Sequence, residues 1–164
     1  MIRIESTYLV KELPKDLEKY ENSLIEQGYL IDSEDACRIR KKGDRFSFAR
    51  KIIAIAGDKS YREHLEIPIA AEEYKKLLKI VKKSLTKRRY YFESKINGEI
   101  RVDVFEGKLK GLVLAEVIFT DETYLREFIP PVWFGREVTA EAWASNQFVA
   151  GKSYKEIKKL IESI

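Results

Sequence analysis

The sequence predicts an α+β fold: an eight-stranded antiparallel closed tunnel barrel with flanking helices. Three observations predict it. Segments of strand period dominate the chain, and two pairs of them are joined by the tight-turn signals Gly43-Asp44 and Asn97-Gly98. Segments of helix period fall between groups of strands and do not follow every strand, which argues for a largely antiparallel sheet. Finally, most strands carry one apolar face and one charged face. About eight strands suffice to close a barrel, and closure would turn the charged faces into the lining of a polar interior.

The elements follow in order. Residues 1–10 alternate, with Ile2, Ile4, Ser6 and Tyr8 on one face and Arg3, Glu5 and Thr7 on the other. Pro14 suits a helix start, and Asp16 and Glu18 suit its positive end. Leu17, Tyr20, Leu24 and Ile25 then recur at helical spacing, predicting a helix from Pro14 to about Gln27 that Gly28 ends. Tyr29 to Asp32 reads as a short strand. Residues 36–42 form another, with Arg38 and Arg40 opposite Cys37 and Ile39. After the Gly43-Asp44 turn the chain returns as a strand from Arg45 to Ile55. Gly57-Asp58-Lys59 is a loop. The next strand sets Tyr61, Glu63, Leu65 and Ile67 against Arg62, His64 and Glu66, and Pro68 closes it.

Residues 70–83 read as a helix with Tyr74, Leu77, Leu78 and Val81 on one face. Residues 85–95 are an aromatic-rich strand, followed by the Asn97-Gly98 turn. Residues 99–106 return with Arg101 and Asp103 opposite Ile100, Val102 and Val104. Gly107 turns the chain into a last long strand, 110–119, nearly all apolar except Lys110 and Glu116. Asp121 to Phe128 reads as a short helix broken by Pro130-Pro131. From Val138 the chain is loop and short helix, and 153–163 is a final helix with Ile157, Leu160 and Ile161 inward. There is no internal repeat and no low-complexity linker.

At 164 residues the chain is expected to be one domain, 1–164, with a substantial core. Apolar residues at 45% beside charged residues at 35% describe a folded chain with a heavily charged surface or interior. The net charge of +4 makes a polyanion the natural partner class, with the placement of the charge deciding which. The single cysteine, Cys37, excludes an intramolecular disulfide and a cysteine zinc cluster, and the single histidine, His64, excludes a His-rich metal site. No basic-then-apolar leader opens the sequence, and no apolar run approaches the ~18 residues needed to span a membrane. The expectation is a cytoplasmic protein with no membrane association.

Collected, the polar faces carry Arg3 and Glu5; Arg38 and Arg40; Arg62, His64 and Glu66; Lys87 and Arg89; Arg101 and Asp103; and Glu116, with Lys51 able to join them. Several arginines converging on one cavity repel one another in a low-dielectric space, so an anion must offset them. Glu5, Glu66, Asp103 and Glu116 are too few. A multiply charged phosphate ligand fits, since arginine offers paired donors to phosphate oxygens. The alternative on the same pattern is an ordinary solvated strand face, with cross-strand ion pairs worth a few tenths of a kcal/mol. Periodicity alone does not separate the two. His64 reads as a hydrogen-bonded wall residue, Cys37 as core, and Tyr90-Tyr91 as packing. There is no Gly-rich phosphate loop and no nucleic-acid module.

Leu9-Val10-Lys11-Glu12-Leu13-Pro14, Gln27-Gly28-Tyr29-Leu30, Arg38-Ile39-Arg40 before Gly43-Asp44, and Glu66-Ile67-Pro68 resemble the CYTH superfamily, the triphosphate tunnel metalloenzymes. So do Lys87-Arg88-Arg89-Tyr90, Val102-Asp103-Val104-Phe105-Glu106-Gly107, Gly111-Leu112-Val113-Leu114-Ala115-Glu116 and Gly135-Arg136-Glu137-Val138-Thr139. The resemblance covers nearly the whole chain in the correct order. It implies an eight-stranded tunnel that binds triphosphate-containing anions with a divalent metal, Mg2+ or Mn2+. Its bacterial short form, which this chain most resembles, is usually an inorganic triphosphatase. Carried over, Arg38, Arg40, Lys87 and Arg89 match phosphate-binding positions, Lys51 matches another, and Glu5, Glu116 and Asp103 match metal-binding or acidic positions.

The departures fall in the chemistry. The family's first-strand Glu-x-Glu-x-Lys reads here Arg3-Ile4-Glu5-Ser6-Thr7. The acidic alternation of the fifth strand reads Arg62, His64, Glu66. A glutamate two residues before Asp103 is Arg101, and one two residues after Glu116 is Ile118. The lost acidic residues remove oxygen ligands for a hard cation, which needs several in near-octahedral array. Arg3, Arg62 and Arg101 join the phosphate-binding set instead. A two-metal site is therefore not expected, while one metal bridging phosphate oxygens and Glu5 or Glu116 is compatible with the residues left. Two readings follow: a divergent phosphohydrolase of inorganic triphosphate or another triphosphate, and a tunnel protein that binds polyphosphate, nucleotide or another organic phosphate without turnover. Barrel edges and exposed aromatics would allow a homodimer.

Overall fold

Residue parity closes a ring. In the computed structural model, which describes residues 2–33, 35–92 and 98–163, nine strands pair antiparallel. They are β1 (Ile2–Val10), β2 (Asn22–Tyr29), β3 (Ala36–Lys42), β4 (Arg45–Ile55), β5 (Asp58–Pro68), β6 (Lys83–Phe92), β7 (Gly98–Phe105), β8 (Val113–Phe119) and β9 (Phe134–Glu137). Their order is β5-β4-β3-β2-β6-β7-β8-β1-β9, and β5 also pairs with β1, so eight strands close into a barrel. The closure is short: Ile2, Arg3 and Ile4 lie opposite Glu63, Arg62 and Tyr61. Where β1 leaves β5, the same edge is taken up by β9 at Tyr8 and Val10. The expected closed barrel is thus present, and β9 is an addition that the sequence reading did not contain.

The main correction concerns residues 14–27. No helix forms there. Asp16 adopts a left-handed backbone with φ 58°, one 3-10 turn covers Leu17–Lys19, and the chain then enters β2. β2 is an interior strand of the sheet. All its residues pair with β6, and Ile25 to Tyr29 pair with β3 as well. Ile25, Gln27 and Tyr29 are buried at strand period, whereas Leu24 on the other face is 38% exposed. Two ladders of long-range hydrogen bonds outweigh a helical spacing of four apolar residues. The strand expected over Tyr29–Asp32 is only the end of β2.

Smaller differences are matters of extent. The helix expected over 70–83 is α1, Ala71–Leu78, and β6 starts already at Lys83. The last barrel strand starts at Val113, after the left-handed Gly111. Asp58 and Lys59 belong to β5, so the turn lies at Ala56-Gly57, where Gly57 has φ 82°. Asn97 of the second hairpin signal, and the strand expected through residue 95, fall partly outside the described residues. The Gly43 turn and the β4 bounds are as expected.

One apolar cluster lies outside the barrel wall, and a second starts from inward-facing residues at one end of the barrel. Tyr8, Val102, Ala115, Val117 and Phe119 face outward and are covered by Phe128, Trp133 and Phe134, which follow α2 (Glu122–Glu127). Each large side chain buried this way contributes about 1.5–3 kcal/mol. A second cluster joins Tyr29, Leu85 and Phe105 to the C-terminal segment through Trp143, Val149 and Ile157. That segment contains α3 (Asn146–Val149) and α4 (Tyr154–Glu162), whose first turn is held by a capping box between Ser153 and Glu156. It lies across one end of the barrel and thereby positions residues 139–148 at the cavity. Among the described residues no helix is long and apolar enough to cross a membrane.

Candidate functional site

The barrel register places the predicted charged residues on one face. Cross-strand partners share a face, and residues two apart on a strand share it too. Arg3 lies opposite Arg62, His64 opposite Lys51, Lys51 opposite Ala36, and Arg40 opposite Gln27. Gln27 lies opposite Leu85, two residues from Lys87, and Arg89 opposite Asp103. Arg101 lies opposite Glu116, and Glu116 opposite Thr7, which returns the trace to Glu5 and Arg3. The trace closes on itself, so Arg3, Glu5, Arg38, Arg40, Lys51, Arg62, Lys87, Arg89, Arg101, Asp103 and Glu116 all face the interior, with His64 and Glu66.

A cavity of about 360 Å³ occupies part of that interior. Of the predicted residues it is lined by Arg38, Lys51, Arg62, Glu5, Asp103 and Glu116. Arg3, Arg40, Lys87, Arg89 and Arg101 share the inward face but lie outside its lining. The lining also includes Tyr29, Thr7, Thr139, Asn146 and Gln147, most of them from the C-terminal segment or β2.

The carboxylates are already held by cations. Glu5 takes Lys51 as its ion-pair partner, with His64 Nε2 at 3.7 Å from its other oxygen. Asp103 accepts from Lys87 Nζ at 2.5 Å and from Arg89 Nε and Nη2 at 2.7 and 2.8 Å. Glu116 lies 3.2 Å from Arg89 and 3.7 Å from Arg101. Glu66 accepts from Ser47 at 2.6 Å and lies 3.4 Å from Arg40. Burial would raise all four carboxyls, but their cationic neighbours hold each below the usual range, Glu116 well below it.

The cations divide differently. Burial lowers the Lys87 ammonium to about 7, against the opposing pull of Asp103; its second hydrogen-bond partner is Asn146 Oδ1 at 2.9 Å. Burial and the neighbouring Arg38 and Arg89 lower the Arg40 guanidinium, which is braced by two 3.2 Å bonds to Gln27 Oε1. Arg38 is 6% exposed, and its buried Nε has no hydrogen-bond partner. No carboxylate lies within ion-pair distance of Arg38 among the described residues. Arg101 Nε is likewise buried without a partner, although its terminal nitrogens reach Glu99 and Glu116.

His64 is a wall residue, as expected, but its Nε2 is too far from Glu5 for a hydrogen bond, and burial lowers its imidazole below the ordinary value. Cys37 is half-buried on the outward side. Tyr90 packs against the outer core, whereas Tyr91 lies opposite Arg101 on the inward face and accepts a hydrogen bond from Lys42 at 2.7 Å.

A divalent cation fits these residues poorly. Among the described residues no three acidic, histidine or cysteine side chains cluster as a metal site. Glu5 and Glu116, the acids expected to hold one, each have a cation seated on them.

Gln27, Tyr29 and Asn146 were not among the sequence candidates. The helical spacing of residues 14–27 hides Gln27 and separates it from Tyr29; the strand-period triplet Ile25, Gln27, Tyr29 is the signal that would place them. Asn146 reaches Lys87 across 59 positions of sequence, and nothing local marks it.

A closed antiparallel barrel with an inward face of arginine, lysine and ion-paired carboxylates defines a cation-lined tunnel protein. No family model matches the chain. It is 33% identical over 153 residues to an inorganic triphosphatase of Nitrosomonas europaea, covering 92% of this chain and 97% of that protein. It is 31% identical over 139 residues to an inorganic triphosphatase of Acetivibrio thermocellus, covering 83% and 85%. The solved structure of an inorganic triphosphatase superposes with a TM-score of 0.67 at 28% identity, over 90% of this chain and 93% of that one. The chain belongs to the CYTH superfamily.

Proposed function

We propose that the tunnel binds inorganic triphosphate or another triphosphate and hydrolyses its terminal phosphoanhydride. One observation carries the binding: Arg38 is a buried guanidinium with an unpartnered Nε at a 360 Å³ cavity that Lys51 and Arg62 also line. A buried charge without a counter-charge is costly, and a polyanion relieves it with charge-assisted hydrogen bonds. Among the inward-facing sequence candidates, eight arginines and lysines stand against the four carboxylates Glu5, Glu66, Asp103 and Glu116, which extends the same argument along the lumen. The relatives named inorganic triphosphatase support the substrate class.

In the reaction, water attacks the terminal phosphorus, the bridging P–O bond breaks, and phosphate and diphosphate leave. The protein's part is electrostatic: fixed cations hold the chain of phosphates in place and offset charge on the transferred group and the leaving oxygen. Mg2+ or Mn2+, the metals implied by the family, belong to the test because Glu5 and Glu116 are already paired with cations. Phosphate release from tripolyphosphate is measured in chelator, in Mg2+ and in Mn2+, with calorimetric binding of the same anion alongside. Release above the rate without protein, abolished in Arg38→Met, is expected.

A second reading is binding without turnover. It is favoured by the pairing of every inward carboxylate with a cation, which leaves none ready to take a proton from water. Calorimetric binding with no phosphate release in any of the three buffers selects it. Absence of binding to di- and triphosphates alike refutes both.

A further inference from the structure

We propose that this tunnel takes its polyphosphate as the metal-free anion, Arg101 and Lys51 occupying on Glu116 and Glu5 the places a divalent cation would need. The inference rests on the triphosphate-binding reading above and concerns the form of the anion that binds.

Arg101 and Glu116 lie directly opposite each other on β7 and β8. Arg101 Nη1 is 3.7 Å from Glu116 Oε2, and Arg89 Nη2 approaches the same oxygen at 3.2 Å. Arg101 Nη2 is tied to Glu99 at 2.5 Å, which anchors the guanidinium over the strand pair. On β1, one Glu5 oxygen holds Lys51 and the other faces His64. A hard cation entering here would need oxygen donors from Glu5 and Glu116. It would have to displace Lys51 and Arg101 or share their acids, and either leaves a buried cation short of counter-charge.

The bare anion meets no such obstacle. Its oxygens can accept from Arg38, which lines the cavity and whose Nε is buried without a partner, while the existing ion pairs stay in place and Arg101 on the same inward face adds its charge to the attraction. A divalent ion on the anion cancels part of the charge that the lumen is built to meet and occupies oxygens that the guanidinium groups need. It also brings a positive charge close to Arg101 and Lys51 in a low-dielectric space. Arginine cannot lose its proton to relieve that repulsion.

The test titrates the full chain with sodium tripolyphosphate calorimetrically, once in chelator and once in excess Mg2+. Binding is expected in chelator and is expected to weaken at least ~10-fold in Mg2+. Mn2+ alone, followed by its electron paramagnetic resonance, is expected not to bind the ligand-free protein. Binding seen only with Mg2+ or strengthened by it, or tight Mn2+ binding to the ligand-free protein, overturns the inference and leaves the triphosphate reading standing. No binding in either buffer overturns both. Arg101→Gln is expected to weaken binding in chelator ~10-fold and to shrink the Mg2+ penalty. A folded Arg101→Gln protein with an unchanged penalty overturns the role given to Arg101. If that variant does not fold, Arg101→Lys keeps the charge and must keep the penalty; loss of it is equally contrary.

Discussion

Arg38 and Lys87 solve the same difficulty, a cation out of water, in different ways. Lys87 is fully buried but is held by hydrogen bonds to Asp103 and Asn146. Arg38 lacks a carboxylate partner among the described residues and keeps an unpartnered Nε. Arg38→Met should therefore leave the melting temperature unchanged or raise it, while weakening tripolyphosphate binding by ~10- to 100-fold, as thermal melts and calorimetry would show. A large loss of stability would mean that Arg38 serves the fold. For Lys87 the pH dependence has a definite sign. Its folded-state value of about 7 lies below the ordinary 10.5, so from about pH 7 to 10.5 the unfolded chain binds more protons. The charged ammonium is a burden below about pH 7 that lifts as pH rises. In urea titrations from pH 6 to 9, the wild type should gain stability relative to Lys87→Met. A flat difference would place the folded-state value elsewhere.

At the scale of the element, β2 shows where local pattern and tertiary structure part. Leu17, Tyr20, Leu24 and Ile25 have helical spacing, yet Ile25 is 1% exposed and Leu24 38%. As a strand, β2 makes the two adjacent residues unequal. Ile25→Ala should cost ~2–5 kcal/mol and Leu24→Thr within ~0.5 kcal/mol in equilibrium unfolding; a helix facing the core would make both costly. β3, β4, β5, β6 and β7 were legible because each alternates within itself or is flanked by its own turn residues. β9 was not, since Phe134–Glu137 is too short to show a period and forms only because β1 extends past β5. The C-terminal cavity lining was equally silent: Thr139 and Asn146 are ordinary loop residues until α4 and Trp143 fix the segment across the barrel end.

At the scale of the whole molecule, the barrel is a device for gathering like charges. Self-repulsion among the lumen cations opposes closure, and the two apolar clusters oppose opening. Tripolyphosphate should accordingly raise the melting temperature, with a gain of about 2.7 kcal/mol at a hundredfold excess over its Kd. The gain should fall as salt screens the approach of the anion. No thermal shift at any concentration would refute occupancy of the lumen. The charged faces, the departures at Arg3, Arg62, Arg101 and Ile118, and the strand alternation were decided by the sequence alone, because side-chain direction in a strand is a matter of parity. Which acid each cation holds, the unpartnered Nε of Arg38, and the presence of Gln27 and Asn146 were decided only by the tertiary structure. These depend on register between strands and on a segment arriving from 59 residues away, and no local pattern encodes either. Arg3 and Arg101 show both halves: sequence parity turns both inward, and only the closed barrel puts Arg101 on Glu116 and Arg3 beside Arg62.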